Sequence, residues 1–272
     1  MYAKETRGYA AGFCYHVAMF QLAPFAFFAL GAIIASFIGV LVARLNTGQG
    51  FLTGRSRCDA CNAPLKPLFL IPIISYFTMG GRARCCGASL TPYAPITEFL
   101  LGFLFALAYN TIGFSVALPC MLISISVLLA LVMYDLAHQI LPTALLIIFI
   151  IGSALTGFFL AGSASMFYDT IPVAVLVAFF LALIHFLSRG RAMGLADAPL
   201  AFGLALMSGT AALSGFIFSF WIGAVIGIIM LAQRPQGSRM GVEVPLAPFL
   251  AAGFLLAYFT QWNPFTLIAA LS

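Results

Sequence analysis

Long apolar stretches, each broken off by a short cluster of Gly, Pro, Asn or charge, run the length of this chain. The stretches are continuous and show no period-two alternation, so they predict helices rather than strands. Eight segments emerge, at about 22–43, 94–112, 115–134, 142–161, 170–188, 197–212, 215–233 and 246–268. Crossing the hydrocarbon core of a bilayer takes about 20 apolar residues as a helix. Only helices and closed barrels satisfy every backbone polar group there, and the continuous pattern excludes a barrel. The predicted fold class is an all-α polytopic membrane protein of about eight transmembrane helices. Segments six and seven are the weakest, because the turn between them, SGTAALSG, is barely polar. Residues 110–113, 162–169 and 233–244 are clearer connections, gathering Gly, Pro, Asn or charge. There is no internal repeat and no low-complexity tract.

Composition agrees. Of 272 residues, 63% are hydrophobic and 7% are charged, which excludes a soluble globular domain. The twelve Lys and Arg residues are placed unevenly. Arg44, Arg55, Arg57, Lys66, Arg82 and Arg84 lie at or within the connection between segments one and two. Arg189, Arg191, Arg234 and Arg239 follow segments five and seven, and only Lys4 and Arg7 stand on the other side. With eight crossings, ten of the twelve fall on one face, which the positive-inside bias makes cytoplasmic, with both termini outside. The first apolar run is too long, and lacks the small-residue pattern, for a cleaved signal peptide. The net charge of +5 follows from this loop bias, so the partner it implies is membrane lipid and not nucleic acid.

Only seven acids occur: Glu5, Asp59, Glu98, Asp135, Asp169, Asp197 and Glu243. Asp135 ends segment three and Asp197 begins segment six, with two crossings between them. An even number of crossings returns the chain to the same face, so the two carboxylates share a depth and can meet. Acids beside hydrocarbon are costly and mark function. Two adjacent carboxyls share one proton, so that one acts as acid while the other activates water. The bland alternative is two unrelated acids at helix ends, Asp197 in a first turn and Asp135 in an interfacial loop. His138, three residues after Asp135, would share its helical face; it reads as a wetted interfacial histidine or a proton partner.

Six cysteines are present. Cys14 and Cys120 are isolated and read as small apolar residues. Cys58, Cys61, Cys85 and Cys86 gather in the basic loop, where a reducing compartment favours a tetrahedral thiolate zinc site over disulfides. The alternative is a degenerate cluster without metal.

The local motifs resemble the bacterial type IV prepilin leader peptidases, a family of membrane aspartyl proteases that are often also N-methyltransferases. ASFIGVLVAR (35–44), RSRCDAC (55–61), IPIISYF (71–77), PYAPITE (92–98), DLAHQILP (135–142), MGLAD (193–197) and VPLAPFLAAG (244–253) follow in the family's order. The resemblance covers about Ile33 to Gly253 and implies that Asp135 and Asp197 are the catalytic pair. It also implies cleavage of prepilins or pseudopilins, followed by methylation of the new amino terminus from S-adenosylmethionine. Glu98 matches the family's glutamate and is a candidate contact for that donor or for the amine; the alternative is an acid paired with Arg82 or Arg84. The implied organisation is 1–44, an N-terminal segment and first helix; 45–93, a Cys-rich basic cytoplasmic loop; and 94–272, the protease core. Departures are specific. Gly39 replaces an Asn, Thr143 an Asp and Ala83 a Cys, while Ala196 and Pro199 stand where the family carries Gly and Lys around its second aspartate. Competing readings are a transporter or proton pathway, disfavoured by acids at helix ends and the lack of repeats, and a presenilin-like protease, disfavoured by the Cys-rich loop.

Overall fold

The computed structural model describes residues 2–45, 58, 60–61, 63–64, 71–191, 193–233 and 245–264, with side chains of the first helix from Leu22 onward. The charged residues Arg55, Arg57, Asp59, Lys66, Arg234, Arg239 and Glu243, on which part of the loop reading rests, lie outside the described residues. Among the described residues the elements are α1 (Tyr2–Arg44), α2 (Ile74–Thr78), α3 (Tyr93–Ile112), α4 (Ala117–His138), α5 (Thr143–Leu160), α6 (Ala164–Tyr168), α7 (Ile171–Leu187) and α8 (Asp197–Ser208). A 3-10 turn (Gly209–Ala211), α9 (Ala212–Ala232) and α10 (Ala247–Thr260) follow. No strand occurs among them, and Arg82 and Ser89 form an isolated bridge. The fold is an all-helical polytopic membrane protein.

Among the described residues, six stretches are long and apolar enough to cross a bilayer: Leu22–Arg44, Tyr93–Ile112, Ala117–His138, Thr143–Leu160, Ala164–Leu187 and Asp197–Met230, with Ala247–Thr260 shorter. The sixth contains the two weakest predicted segments. At about 1.5 Å per residue α8 is only about 18 Å long, and it ends at Gly209, whose φ of 55° lies in the left-handed region.

The chain divides into two compact units, Met1–Phe114 and Ser115–Ser272. In the first, α1 and α3 pack antiparallel. Phe27 stacks on Tyr109 with ring centroids 4.8 Å apart. A Cβ added at Gly31 would stand 2.7 Å from the Leu101 carbonyl oxygen, so the helices approach more closely than any other residue would allow. Phe25, Ile33, Phe37, Phe99 and Phe103 are exposed, as a lipid-facing surface requires.

In the second unit, α4 and α5 meet through Ser124 and Thr156, whose hydroxyls are 3.4 Å apart. Gly157 of α5 admits the Leu206 carbonyl of α8 in the same way. Gly215 lies against Phe254 and Gly223 against Phe249, so α9 and α10 run antiparallel. Because α10 begins beside Asp135, α9 runs toward that end while α8 leaves it, and the chain reverses at the Gly209 turn. The ends of α4 and the starts of α8 and α10 therefore share one end of this unit.

Candidate active site and cysteine cluster

Asp135 sits in the last turn of α4. The helix stops there because Gln139 adopts the left-handed conformation, φ 55°, and its N–H bonds the Asp135 carbonyl at 2.8 Å. Pro142 then starts α5. The Asp135 side chain is 6% exposed, and its Oδ2 accepts a hydrogen bond of 3.3 Å from the Ala247 N–H at the start of α10. Asp197 is the first residue of α8 and equally buried. Its backbone N–H bonds the Gly194 carbonyl at 3.4 Å, and its carboxylate lies within electrostatic reach of Asp135 and His185. Two carboxyls of opposite sequence context, one at a helix end and one at a helix start, are thus both buried and within electrostatic reach of each other. Such a pair can hold one proton between them and act on water from the other.

The alanine in the second aspartate motif is accommodated. Ala196 has φ −69° and ψ −15°, an ordinary helical conformation that needs no glycine. A Cβ built on Gly194 would stand 3.5 Å from Asp197 Oδ2, an ordinary contact distance. His138 is exposed and its ring rests on Tyr134, 4.5 Å between centroids. The histidine that approaches Asp197 is His185, in the last turn of α7, which sequence reasoning missed. The available signal was a polar residue ending an apolar run shortly before the second aspartate.

In the first unit, Glu98 is 7% exposed, and among the described residues its partner is the Ile73 N–H, 2.7 Å from Oε2, rather than Arg82 or Arg84. Ile73 has φ 61° and ψ −57°, and the Ile74 N–H bonds the Pro72 carbonyl across it. This is a γ-turn of the strained hand centred on a β-branched residue. The buried carboxylate holds that turn in place.

Cys58, Cys61, Cys85 and Cys86 converge, with all four Sγ atoms within 4.8 Å of one another. The separations of 3.8 Å for Cys58–Cys86, 3.3 Å for Cys61–Cys85 and 3.9 Å for Cys85–Cys86 resemble a ligand shell. Four thiolates about 2.3 Å from one zinc would be about 3.8 Å apart along the edges of a tetrahedron. Cys85 thus joins the cluster, while Ala83 is buried and its N–H bonds the Ala88 carbonyl across the turn. Backbone N–H groups of Cys61 and Ala60 bring the Cys58 thiol down to about 7, whereas the adjacent sulfurs of Cys61 and Cys58 push Cys85 up to about 12. The first thiolate forms readily and further ones oppose it, so the cluster suits a dication that offsets their charge.

A polytopic, all-helical membrane protein with two buried carboxyls at one end of a helical unit is the class that fold and site define. Residues 29–112 match the family model described as the bacterial peptidase A24 N-terminal domain. The chain is 30% identical to the prepilin leader peptidase/N-methyltransferase of Myxococcus xanthus, over 75% of this chain and 62% of that protein. It is 29% identical to that of Bacillus subtilis over 85% of this chain and 92% of the relative, and 30% identical to that of Stutzerimonas stutzeri over 72% and 68%. No solved structure matches. The chain belongs to the prepilin leader peptidase/N-methyltransferase family and is an enzyme of that kind.

Proposed function

We propose that this chain cleaves the basic leader from type IV prepilins or pseudopilins at the cytoplasmic face of a bacterial inner membrane, using Asp135 and Asp197. The observation that carries the reading is the burial of these two carboxyls within electrostatic reach of each other. A prepilin with its basic leader in the cytosol and its apolar helix in lipid brings the scissile bond to the depth of helix ends. One carboxylate takes a proton from water as the oxygen attacks the scissile carbonyl carbon. The protonated partner donates to the developing oxyanion, and the tetrahedral diol collapses as the carboxyl that took the water proton gives it to the departing amine and its partner takes a hydroxyl proton from the diol. At the end the pair again holds one proton. In this reading 1–44 anchors the chain, 45–93 forms a cytoplasmic loop and 94–272 carries the peptidase.

The cysteine cluster holds structural zinc through Cys58, Cys61, Cys85 and Cys86, closing the loop into a fixed knuckle. The donor set, four sulfurs at tetrahedral spacing, supports that choice. Methyl transfer from S-adenosylmethionine is assigned to the first unit, where Glu98 offers Oε1 to the donor or to the freed amine while Oε2 holds Ile73. Co-expression with a candidate prepilin, with the mass of the pilin followed, tests the reading: leader loss that depends on this chain is the expected result, and an unprocessed pilin contradicts it. A further mass gain of one methyl group reports the second activity.

A further inference from the structure

The connection between α7 and α8 runs through Arg189 and Gly190, both left-handed with φ 54° and 75°, before it delivers Asp197. One residue holds this connection at two points. The His185 carbonyl accepts from the Gly190 N–H at 2.9 Å and from the Ser188 hydroxyl at 3.1 Å. The His185 ring reaches past them, with Nδ1 2.9 Å from the Met193 carbonyl oxygen. A carbonyl only accepts, so Nδ1 carries the proton. The next residue, Gly194, lies against the Asp197 carboxylate, with 3.5 Å from a Cβ built on it to Oδ2, and its carbonyl accepts from the Asp197 N–H at 3.4 Å. Ring, Met193 carbonyl, Gly194 backbone and carboxylate form one continuous path.

We propose that His185 is the positioning residue for Asp197, fixing the carboxylate through the Met193–Gly194 backbone. This rests on the aspartyl-peptidase reading. It also gives a physical account of how the chain works without the lysine that its relatives' motif leads one to expect at Pro199. The side chain that orders the aspartate comes from the preceding helix. His185 touches no substrate in this arrangement; it acts through the loop.

The test uses the purified full chain in lipid discs with a prepilin substrate, comparing wild type, His185→Phe, His185→Asn, Gly190→Ala and Asp197→Asn. Phe keeps the ring without the donor, whereas the Asn amide places an N–H near the Nδ1 position. Loss of one hydrogen bond should lower kcat about tenfold in His185→Phe with KM unchanged. His185→Asn should return to within about threefold of wild type, because the donor is restored. A Cβ at Gly190 would press on the His185 ring at 3.4 Å on a backbone with positive φ, so Gly190→Ala should show the same kcat loss. Should His185→Phe not fold, the Gly190 variant carries the test. Wild-type kcat in His185→Phe or, where that protein does not fold, in Gly190→Ala would overturn the proposal. So would a change confined to KM, or failure of His185→Asn to recover. Asp197→Asn separates the two claims: if it still cleaves, the dyad reading itself fails whatever the His185 variants do.

Discussion

The carboxylate of Asp135 and the backbone of Ala247, 112 residues apart in sequence, are joined by a hydrogen bond of 3.3 Å. It ties the end of α4 to the first turn of α10. The first N–H groups of a helix have no partner within it, and a carboxylate is their natural acceptor. Helix α10 thereby fixes one half of the proposed acid pair.

Replacing that donor tests the contact. Ala247→Pro deletes the N–H while keeping a residue that the first helical turn tolerates, and Pro248 already occupies that turn. We expect kcat for leader cleavage to fall about tenfold or more, the range for a hydrogen bond to a charged group, with the chain still inserted. Steady-state kinetics on prepilin checks this; an unchanged kcat would leave Ala247 a bystander.

The cysteine loop gives an elemental readout. Purified wild type should carry about one zinc per chain by mass spectrometry. The double change Cys58→Ala with Cys61→Ala should release it, and Cys85→Ala should weaken it, since Cys85 Sγ is 3.3 Å from Cys61 Sγ. Ala83→Cys in the Cys85→Ala background restores the family spacing and should restore the metal. Full metal content in Cys85→Ala alone would move the fourth ligand elsewhere.

Glu98 and Ile73 make a stability prediction. Glu98→Ala strands a buried N–H and should cost about 1–3 kcal/mol, whereas Glu98→Gln keeps an acceptor and should cost less. Ile73→Gly removes the strain of φ 61° and should stabilise by about 1 kcal/mol. Thermal unfolding of the three variants orders them; a destabilising Ile73→Gly would show that the side chain outweighs the turn.

The helices were readable because each must be continuously apolar, and segments 115–134 and 142–161 differ from α4 and α5 only at their ends. The expectation that Asp135 and Asp197 lie toward one face comes from parity along the chain. Glu98 is, from sequence, a candidate contact for the methyl donor or the amine, with an arginine pairing as the alternative; the Ile73 N–H that bonds its Oε2 comes from a turn that no periodicity encodes. His185 escaped notice because its role depends on how the loop after α7 folds back, through left-handed Arg189 and Gly190, which no periodicity encodes. The fourth ligand position was ambiguous in sequence, since adjacent cysteines point apart in a regular strand; the turn from Ala83 to Ala88 lets Cys85 and Cys86 face the same centre.

The central claim is that two carboxyls share the chemistry. Asp135→Asn and Asp197→Asn, purified and shown to be folded, should each lose leader cleavage by at least about a thousandfold, because the remaining acid cannot both take and give a proton. Methyl transfer to a pre-cleaved pilin, measured in the same samples with labelled S-adenosylmethionine, should stay at the wild-type level if that activity lies in the first unit. The decisive measurement is the mass of prepilin after incubation with each variant. Uncleaved prepilin with both variants is the result this account predicts, and a processed pilin with either one contradicts it.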